Sequence, residues 1–414
     1  IIMIELPKHL LPRSKSHQLR ALLLSLMTPK VSCMSSTTLS DDVKTLLAMV
    51  DANVISLEHD TITIDAKNWP FKNHLNTGNS GILLRFVTAL AATQTHTTTL
   101  TGDLSCQNRP MGALTKVLTE CGASITFHQR HGFAPLSIQG PIKPGVYTMG
   151  SNDSQHISAL LLALSTLDQP STIVLTESGE HAFIEMTIQW LRHQGHIIEL
   201  NPWHTIKIHP QKDKHAILFT PPYDIGLLAP LLAWGMCHRR SLLLPKSKAQ
   251  HHQPDDAILT LLQQMGAQWV EEEHHWIMHP PQTIRPIHAN INHCIDMLPT
   301  LALLATQCTA GSSNFSGIRV AETKECNRPA VLTAQLRRLN ADIEYTDGAL
   351  IIHPSKLNSN TINHHQDHRM AMMLHVASTL TPTPLKIEHD ECINKSFPHF
   401  KELLACLNAN ALPS

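Results

Sequence analysis

The chain repeats itself, and that recurrence limits the folds open to it more than any other feature. An amphipathic helix closes on Gly, Asn or Ala and is followed by a strand, a turn and a second strand, about six times at a period of roughly 70 residues. The helical pattern at 46–50 leads through Ala52 to strand patterns at 54–57 and 61–65. That at 114–121 leads through Gly122 and Ala123 to 125–127 and 136–138, and that at 188–194 through Gly195 to 197–200 and 205–208. It returns at 258–265 with Gly266, at 331–339 with Asn340, and at 400–407 with Asn408. Gly and Asn tolerate the left-handed backbone that ends a helix. The copies also carry an upstream helix that is apolar nearly all round, at 83–91, 158–167, 227–235, 297–305 and 370–380. Such helices belong inside a ring of sheets. The period is too long for a solenoid module and predicts a symmetric α/β architecture of β-α-β-α-β-β units.

Pro221 and Pro222 stand at the midpoint of the repeats, inside Phe219-Thr220-Pro221-Pro222-Tyr223-Asp224, and mark the expected domain crossing. The pattern predicts one repeat domain over 15–219 and a second over 1–14 with 220–414. The strand pattern at 1–6 has no partner in its own half and is expected to complete the last unit of the second domain.

Charge is balanced, with 32 Lys+Arg against 33 Asp+Glu, so neither nucleic acid nor a membrane surface is expected as a partner. Any cationic site must therefore be local. No apolar run reaches the length of a membrane span, and a signal-peptide pattern is lacking, which predicts a cytoplasmic protein. The chain opens at Ile1, so its natural start is expected upstream or at Met3. Nine cysteines are scattered without short paired spacing, a pattern of reduced, buried thiols. Histidine numbers 29, mostly singly in polar stretches.

Local charge gathers where strands or loops enter helices. Ser14-Lys15-Ser16-His17-Gln18-Leu19-Arg20 opens a helix near Ser16, with Leu19, Leu22, Leu23 and Leu26 at helical spacing. Two serines suited to N-capping, Lys15, and Arg20 about one turn on make an anion site there chemically reasonable. An ordinary solvated cap would look the same. Asn79 and Gly81 stand in Asn76-Thr77-Gly78-Asn79-Ser80-Gly81 ahead of Arg85, and Arg109 precedes a Pro-started helix. Asp153, Ser154 and Gln155 form a polar cap, and Asp296 stands at the mouth of an apolar helix. Lys324, Glu325 and Arg328 precede another Pro-started helix, and Lys395 the last one. His364-His365-Gln366-Asp367-His368-Arg369 is rich in imidazole but lacks metal-ligand spacing. Converging helix starts in an interdomain cleft would give an otherwise neutral protein a strongly anion-binding site.

These strings, in this order and spacing, resemble the 3-phosphoshikimate 1-carboxyvinyltransferase (EPSP synthase) family of enolpyruvyl transferases from end to end. The resemblance rests on Ser14-Lys15-Ser16 with Arg20, Ser40-Asp41-Asp42-Val43, Gly78-Asn79-Ser80-Gly81 with Arg85, Asn108-Arg109-Pro110, Ser154-Gln155, Asn292-His293 with Asp296, Lys324-Glu325 with Arg328, Asp367-His368-Arg369-Met370-Ala371 and Lys395-Ser396-Phe397-Pro398. It implies a two-domain inside-out α/β barrel (EPT/RTPC-like), each domain three β-α-β-α-β-β repeats around buried helices, with the active site in the interdomain cleft. It implies transfer of the enolpyruvyl group of phosphoenolpyruvate to the 5-hydroxyl of shikimate 3-phosphate through a tetrahedral ketal, with release of phosphate. Lys15, Asn79, Gly81, Arg109, Gln155, Arg328, Arg369 and Lys395 would hold phosphoenolpyruvate. Lys15, Ser16, Arg20, Asp153, Ser154, Gln155, Asp296 and Lys324 would hold shikimate 3-phosphate. Asp296 would be the base, Glu325 the acid, and Lys15 would stabilise the leaving phosphate. No metal or organic cofactor is implied, and a monomer is expected.

The chain departs from the family pattern at four places. Arg13 replaces Gly, Glu180-His181-Ala182-Phe183 replaces Ser-Lys-Pro-Tyr, Pro221-Pro222-Tyr223-Asp224 replaces Gly-Asp-x-Ser, and Gln366 replaces Asn. A rival alignment puts Glu322 in the acid role. Two rival functions remain open: a UDP-N-acetylglucosamine enolpyruvyl transferase, with Cys106 in the comparable loop, and a catalytically silent homologue acting as a binding subunit.

Overall fold

A computed structural model describes residues 3–35, 38–67, 69–246 and 253–411. Ile1 and Ile2, the first residues of the expected opening strand, lie outside this set. The chain divides into two compact units, Ser14–Pro221 and Ile1–Arg13 with Pro222–Ser414. The first contains helices α1 (Lys15–Leu26), α2 (Asp41–Met49), α3 (Gly81–Ala91), α4 (Leu104–Gln107), α5 (Gly112–Glu120), α6 (Ser154–Leu164) and α7 (His181–His193). The second contains α8 (Ile225–Cys237), α9 (Ala257–Gln264), α10 (Leu298–Thr306), α11 (Arg328–Arg338), α12 (His368–Ser378) and α13 (Phe400–Ala411).

The described residues form five four-stranded sheets that share one plan. A parallel pair at one edge is followed by two antiparallel strands joined as a hairpin. In the repeat around α3, for example, His74–Asn76 lies parallel to Thr98–Thr101, which pairs antiparallel with Leu136–Gln139 and through it with Ser124–Phe127. The alternating apolar pattern of these short strands turns one face inward. The helices that precede them end as their sequence demands, with left-handed backbone at Gly122 (φ 109°), Gly195 (φ 99°), Gly266 (φ 113°) and Asn340 (φ 71°).

The apolar helices are the cores of the two units. Every residue of α3 and of α10 is buried, and α6, α8 and α12 are buried over nearly their whole length. In the first unit α1, α3 and α6 join the inward strand residues in a single core that includes Leu23, Leu83, Leu160, Ile138 and Ile206. In the second, α8, α10 and α12 do the same with Leu242, Phe315 and Leu350.

Two expectations need correction. The opening strand does not complete the last repeat. Met3–Glu5 runs parallel to Ser241–Pro245, in the fourth. That position is open because Leu218–Phe219, which precedes α8, pairs instead with Ser32–Ser35 of the first repeat. Both sheets gain an edge strand from a distant segment, and burial of Ile4 and Leu6 holds the first of them in place. Secondly, the sixth repeat contributes α12 and α13 but no strand among the described residues. Pro382 and Pro384 lack the N–H a ladder needs. Residues 359 and 383 are joined there through a side chain, the Thr383 amide donating to Ser359 Oγ at 3.1 Å.

The thiols are all free. Cys106, Cys121, Cys294 and Cys308 are buried, whereas Cys406 is exposed against expectation, because it falls on the outer face of α13.

Leu160→Ala, which empties a fully buried position of α6, should cost about 3 kcal/mol in a urea unfolding experiment. A loss below about 1 kcal/mol would mean that the helix is not in a close-packed core.

Candidate active site

The first unit gathers its polar groups at helix starts. Ser14 holds the N-cap position of α1, yet its side chain makes no capping bond. Lys15 follows, and its Nζ lies 2.8 Å from Asp42 Oδ2 in the first turn of α2. Asp42 is itself buried, so the pair is an internal one. Arg20 does not return to the Lys15 surface. It is 1 % exposed, and its Nε donates to Thr187 Oγ1 at 2.8 Å, Nη1 to the Ser16 carbonyl at 3.0 Å and Nη2 to the Phe183 carbonyl at 3.3 Å. Burial lowers its pKa to about 9, so it remains a cation at neutral pH, held by α7.

Gly81 makes room for two guanidinium groups. A Cβ there would lie 2.4 Å from Arg109 Nη1 and 2.7 Å from Arg85 Nη1. Arg85 donates to the Gly81 carbonyl at 3.0 Å and the Pro110 carbonyl at 3.2 Å, and meets Asp153 at 3.4 Å. Arg109 donates to Asn79 Oδ1 at 3.4 Å, and Asn79 donates to Asp103 Oδ2 at 2.7 Å. Cys106, in α4 just before Arg109, is fully buried against Thr77.

Asp153 caps α6 by accepting from the Gln155 amide at 2.9 Å. Ser154 gives both its amide (3.3 Å) and its hydroxyl (3.1 Å) to Glu180 Oε2. His156 ties this cap to the Arg109 loop, with Nε2 at 3.1 Å from the Pro110 carbonyl and Nδ1 at 3.0 Å from Ser151 Oγ. Burial pulls its pKa down to about 4, so the ring is neutral, with Nε2 as the donor.

The second unit builds a denser cluster around Arg328, the first residue of α11. Its guanidinium is 1 % exposed and meets three carboxylates: Asp367 at 2.7 Å through Nε, Asp296 at 2.5 Å through Nη1 and Glu325 at 2.8 Å through Nη2. Burial opposes its charge, but these carboxylates more than compensate and raise its pKa well above the ordinary value. Lys395 adds a second cation to Glu325 at 2.6 Å. Lys324 and Arg369 approach Asp296 at 3.9 and 3.7 Å. Asp367 also caps α12, accepting from the Arg369 amide at 2.8 Å. Crowding by protein works to raise the Asp296 pKa, yet Lys324, Arg328 and Arg369 together hold it well below the usual carboxylate range. Glu322 lies outside this cluster, exposed and bonded to Tyr345.

Thus Asp296, Lys324, Glu325, Arg328, Arg369 and Lys395 come together in one unit. Lys15, Asn79, Gly81, Arg109, Asp153, Ser154 and Gln155 lie on neighbouring helix starts in the other. The motifs underplayed Asp42, Arg85 and Asp367, and nothing in the sequence marked Asp255. Asp255 sits against Gly226 at the start of α8, 3.4 Å from Arg369, whose Nη1 also donates to the Gly226 carbonyl. Burial pushes its pKa up to about 7 against the pull of Arg369. Gln253-Pro254-Asp255-Asp256 reads locally as a turn into α9, and only packing makes Asp255 a neighbour of Arg369. Among the described residues no group of His, Cys, Asp and Glu could hold a metal ion. Chemically, the clusters can bind anions, and the second holds three carboxylates on one guanidinium.

The comparisons with known proteins agree with one another. The family model described as EPSP synthase (3-phosphoshikimate 1-carboxyvinyltransferase) matches residues 10–404. A 3-phosphoshikimate 1-carboxyvinyltransferase of Chlamydia trachomatis is 30 % identical over 407 residues, covering 96 % of this chain and 92 % of the relative. That of Chlamydia muridarum is 29 % identical over 409 residues, covering 97 % and 92 %. Among solved structures, EPSP synthase from Acinetobacter baumannii superposes with a TM-score of 0.79 at 22 % identity, covering 98 % of this chain and 95 % of that one. The enolpyruvyl transferase NikO from Streptomyces tendae gives 0.72 at 16 % identity, covering 97 % and 95 %.

The raised pKa of Asp255 carries a sign. The ordinary carboxyl value is 3.8 and the native one about 7, so the native state keeps the proton that the unfolded chain gives up. This contribution to stability is full below about pH 4 and is lost as pH rises through 7. Relative to the parent, Asp255→Asn should therefore gain roughly 2–3 kcal/mol between pH 5 and pH 8. Thermal melts of both proteins across that range read the effect; parallel curves would contradict it.

Proposed function

The chain belongs to the EPSP synthase family, and on that premise we propose that Asp296 and Glu325 perform the two proton transfers of enolpyruvyl transfer. The fold is the family's two-domain inside-out α/β barrel. The protein is a 3-phosphoshikimate 1-carboxyvinyltransferase of the shikimate pathway, an enzyme of aromatic amino-acid biosynthesis. It moves the enolpyruvyl group of phosphoenolpyruvate to the 5-hydroxyl of shikimate 3-phosphate and releases phosphate.

The observation that carries the residue assignment is the shared guanidinium. Arg328 holds Asp296 at 2.5 Å and Glu325 at 2.8 Å on its two terminal nitrogens. In the addition step the acceptor oxygen bonds to C2 of phosphoenolpyruvate, the hydroxyl proton leaves and a proton joins C3. In the elimination step the C2–O bond to phosphate breaks and C3 gives a proton back. Asp296 takes the hydroxyl proton. Glu325 delivers the methylene proton and recovers it.

At rest, both carboxylates are quenched by cations, and Asp296 is too weak a base to act. Arriving phosphate and carboxylate groups compete for Lys324, Arg369 and Lys395, and each cation drawn toward substrate returns basicity to Asp296 and Glu325. Binding thereby prepares the chemistry. Lys15, Asn79, Gly81, Arg109, Gln155, Arg328, Arg369 and Lys395 are assigned to phosphoenolpyruvate, with Lys15 also stabilising the leaving phosphate. Ser16, Arg20, Asp153, Ser154, Gln155 and Lys324 are assigned to shikimate 3-phosphate, with Lys15 and Asp296 shared. Arg20 takes part only as a buried charge behind Ser16 unless α7 moves. The proposed domains are 15–219 and 1–14 with 220–414. The protein is read as a cytoplasmic monomer; no described helix is long and apolar enough to cross a membrane. Full burial of Cys106 speaks against a loop-cysteine mechanism and so against UDP-N-acetylglucosamine as acceptor. The charged groups retained in the Arg328 cluster speak against a silent homologue.

Phosphate release from phosphoenolpyruvate should require added shikimate 3-phosphate. Asp296→Asn and Glu325→Gln should each lower kcat by roughly 10²- to 10⁴-fold; near-parental turnover in either would remove that residue from its role. Gly81→Ala forces Arg85 and Arg109 apart, so the KM for phosphoenolpyruvate should rise about tenfold or more with a smaller change in the KM for the acceptor. A change confined to the acceptor would misplace Gly81.

A further inference from the structure

A helix start that binds an anion through its amide and a neighbouring hydroxyl can serve only one anion at a time. In this protein the start of α6 is already served. Glu180 Oε2 accepts from both the Ser154 amide and the Ser154 hydroxyl, at 3.3 and 3.1 Å. The carboxylate is not a chance visitor. Glu180 is buried, 2 % exposed, and its backbone sits in the left-handed region (φ 48°, ψ 45°), which side-chain-bearing residues avoid. The preceding turn is pressed on the same helix start, since a Cβ on Gly179 would lie 2.5 Å from the Asn152 carbonyl oxygen. The fold therefore delivers a carboxylate to Ser154 through a backbone conformation that disfavours it.

The surrounding charges sharpen the conflict. From α6 and its cap, Asp153 and the neutral His156 face this region. Arg85 of α3 is engaged with Asp153 at 3.4 Å, and His181 of α7 bonds to Ser178. Arg20 of α1 is bonded to Thr187 and to the Phe183 and Ser16 carbonyls. A phosphate approaching Ser154 would meet two carboxylates, with both Ser154 donors taken.

We propose that Glu180 is a resident anion at the position that the acceptor's phosphate must take, and that it is the residue setting how strongly this protein prefers a phosphorylated acceptor. This rests on the assignment of Ser154 to shikimate 3-phosphate made above. To bind, the phosphate displaces the carboxylate from Ser154. The preference for phosphate is the gain from those donors less the cost of expelling Glu180. The position is one at which the family pattern has serine, so the competition belongs to this chain.

The test is calorimetric titration of shikimate 3-phosphate and of shikimate into the parent, Glu180→Ser and Glu180→Gln proteins. The ratio of the two affinities should rise at least about tenfold in both variants, because like charges in contact no longer oppose the phosphate. The Gln variant keeps the shape of the side chain and is decisive: an unchanged or smaller ratio there overturns the proposal, whatever the Ser variant does. A gain shared equally by shikimate would also overturn it, since the group meeting Ser154 would then not be the phosphate. Turnover of phosphoenolpyruvate by the parent protein is measured separately. Its absence would strike the reaction assignment, whereas the affinity ratio judges Glu180 alone.

Discussion

A guanidinium can leave water only if its charge is met, and the environment of Arg328 is built on that requirement. Three carboxylates from three different segments surround it: Asp296 before α10, Glu325 before α11 and Asp367 at the cap of α12. Losing one would strand charge in the interior, an expensive outcome. Replacing an entire buried ion cluster by apolar side chains, by contrast, is often neutral for stability. The knot is therefore weak evidence for stability and better evidence for placement. It brings the two proposed proton-transfer groups to one point, and it joins that point to the starts of α11 and α12.

The same economy of charge recurs in both units. Lys15 is met by Asp42, Arg85 by Asp153, Lys395 by Glu325 and Arg369 by Asp255. A site intended for multiply charged anions would repel its own cations if they were left bare. On the proposed assignment, the carboxylates of each unit that hold its cations yield them when substrate arrives. Affinity is then the difference between two sets of ion pairs, and proton affinity changes as pairs are exchanged. Glu180 adds a further element to this pattern: its carboxylate occupies both hydrogen-bond donors of Ser154 at a helix start.

Much of the fold and the charged strings was legible because both are written locally. Helix period, left-handed stops at Gly122, Gly195, Gly266 and Asn340, and strand alternation each need only a few neighbouring residues to declare themselves. The same holds for the short strings around Lys15, Arg109, Arg328 and Arg369, whose order along the chain carries the family resemblance. The exchange of edge strands was not legible. Met3–Glu5 and Leu218–Phe219 are both too short for their sequence to select a partner strand. The missing strands of the sixth repeat show the opposite case: Pro382 and Pro384 were visible, but the apolar helices around them carried the expectation of a full unit.

What the sequence determined alone was therefore the repeated α/β unit, the helices that must be buried and the set of charged residues available for chemistry. The tertiary structure decided which of those charges meet. Arg20 and Arg109 look alike as letters, yet packing of α7 buries one against Thr187, while the absence of a side chain at Gly81 brings the other alongside Arg85. Asp255 gained its importance only from contact with Gly226 and Arg369. Electrostatic character depends on distance and burial, and both are set by segments far apart in the chain, which no local pattern of residues encodes.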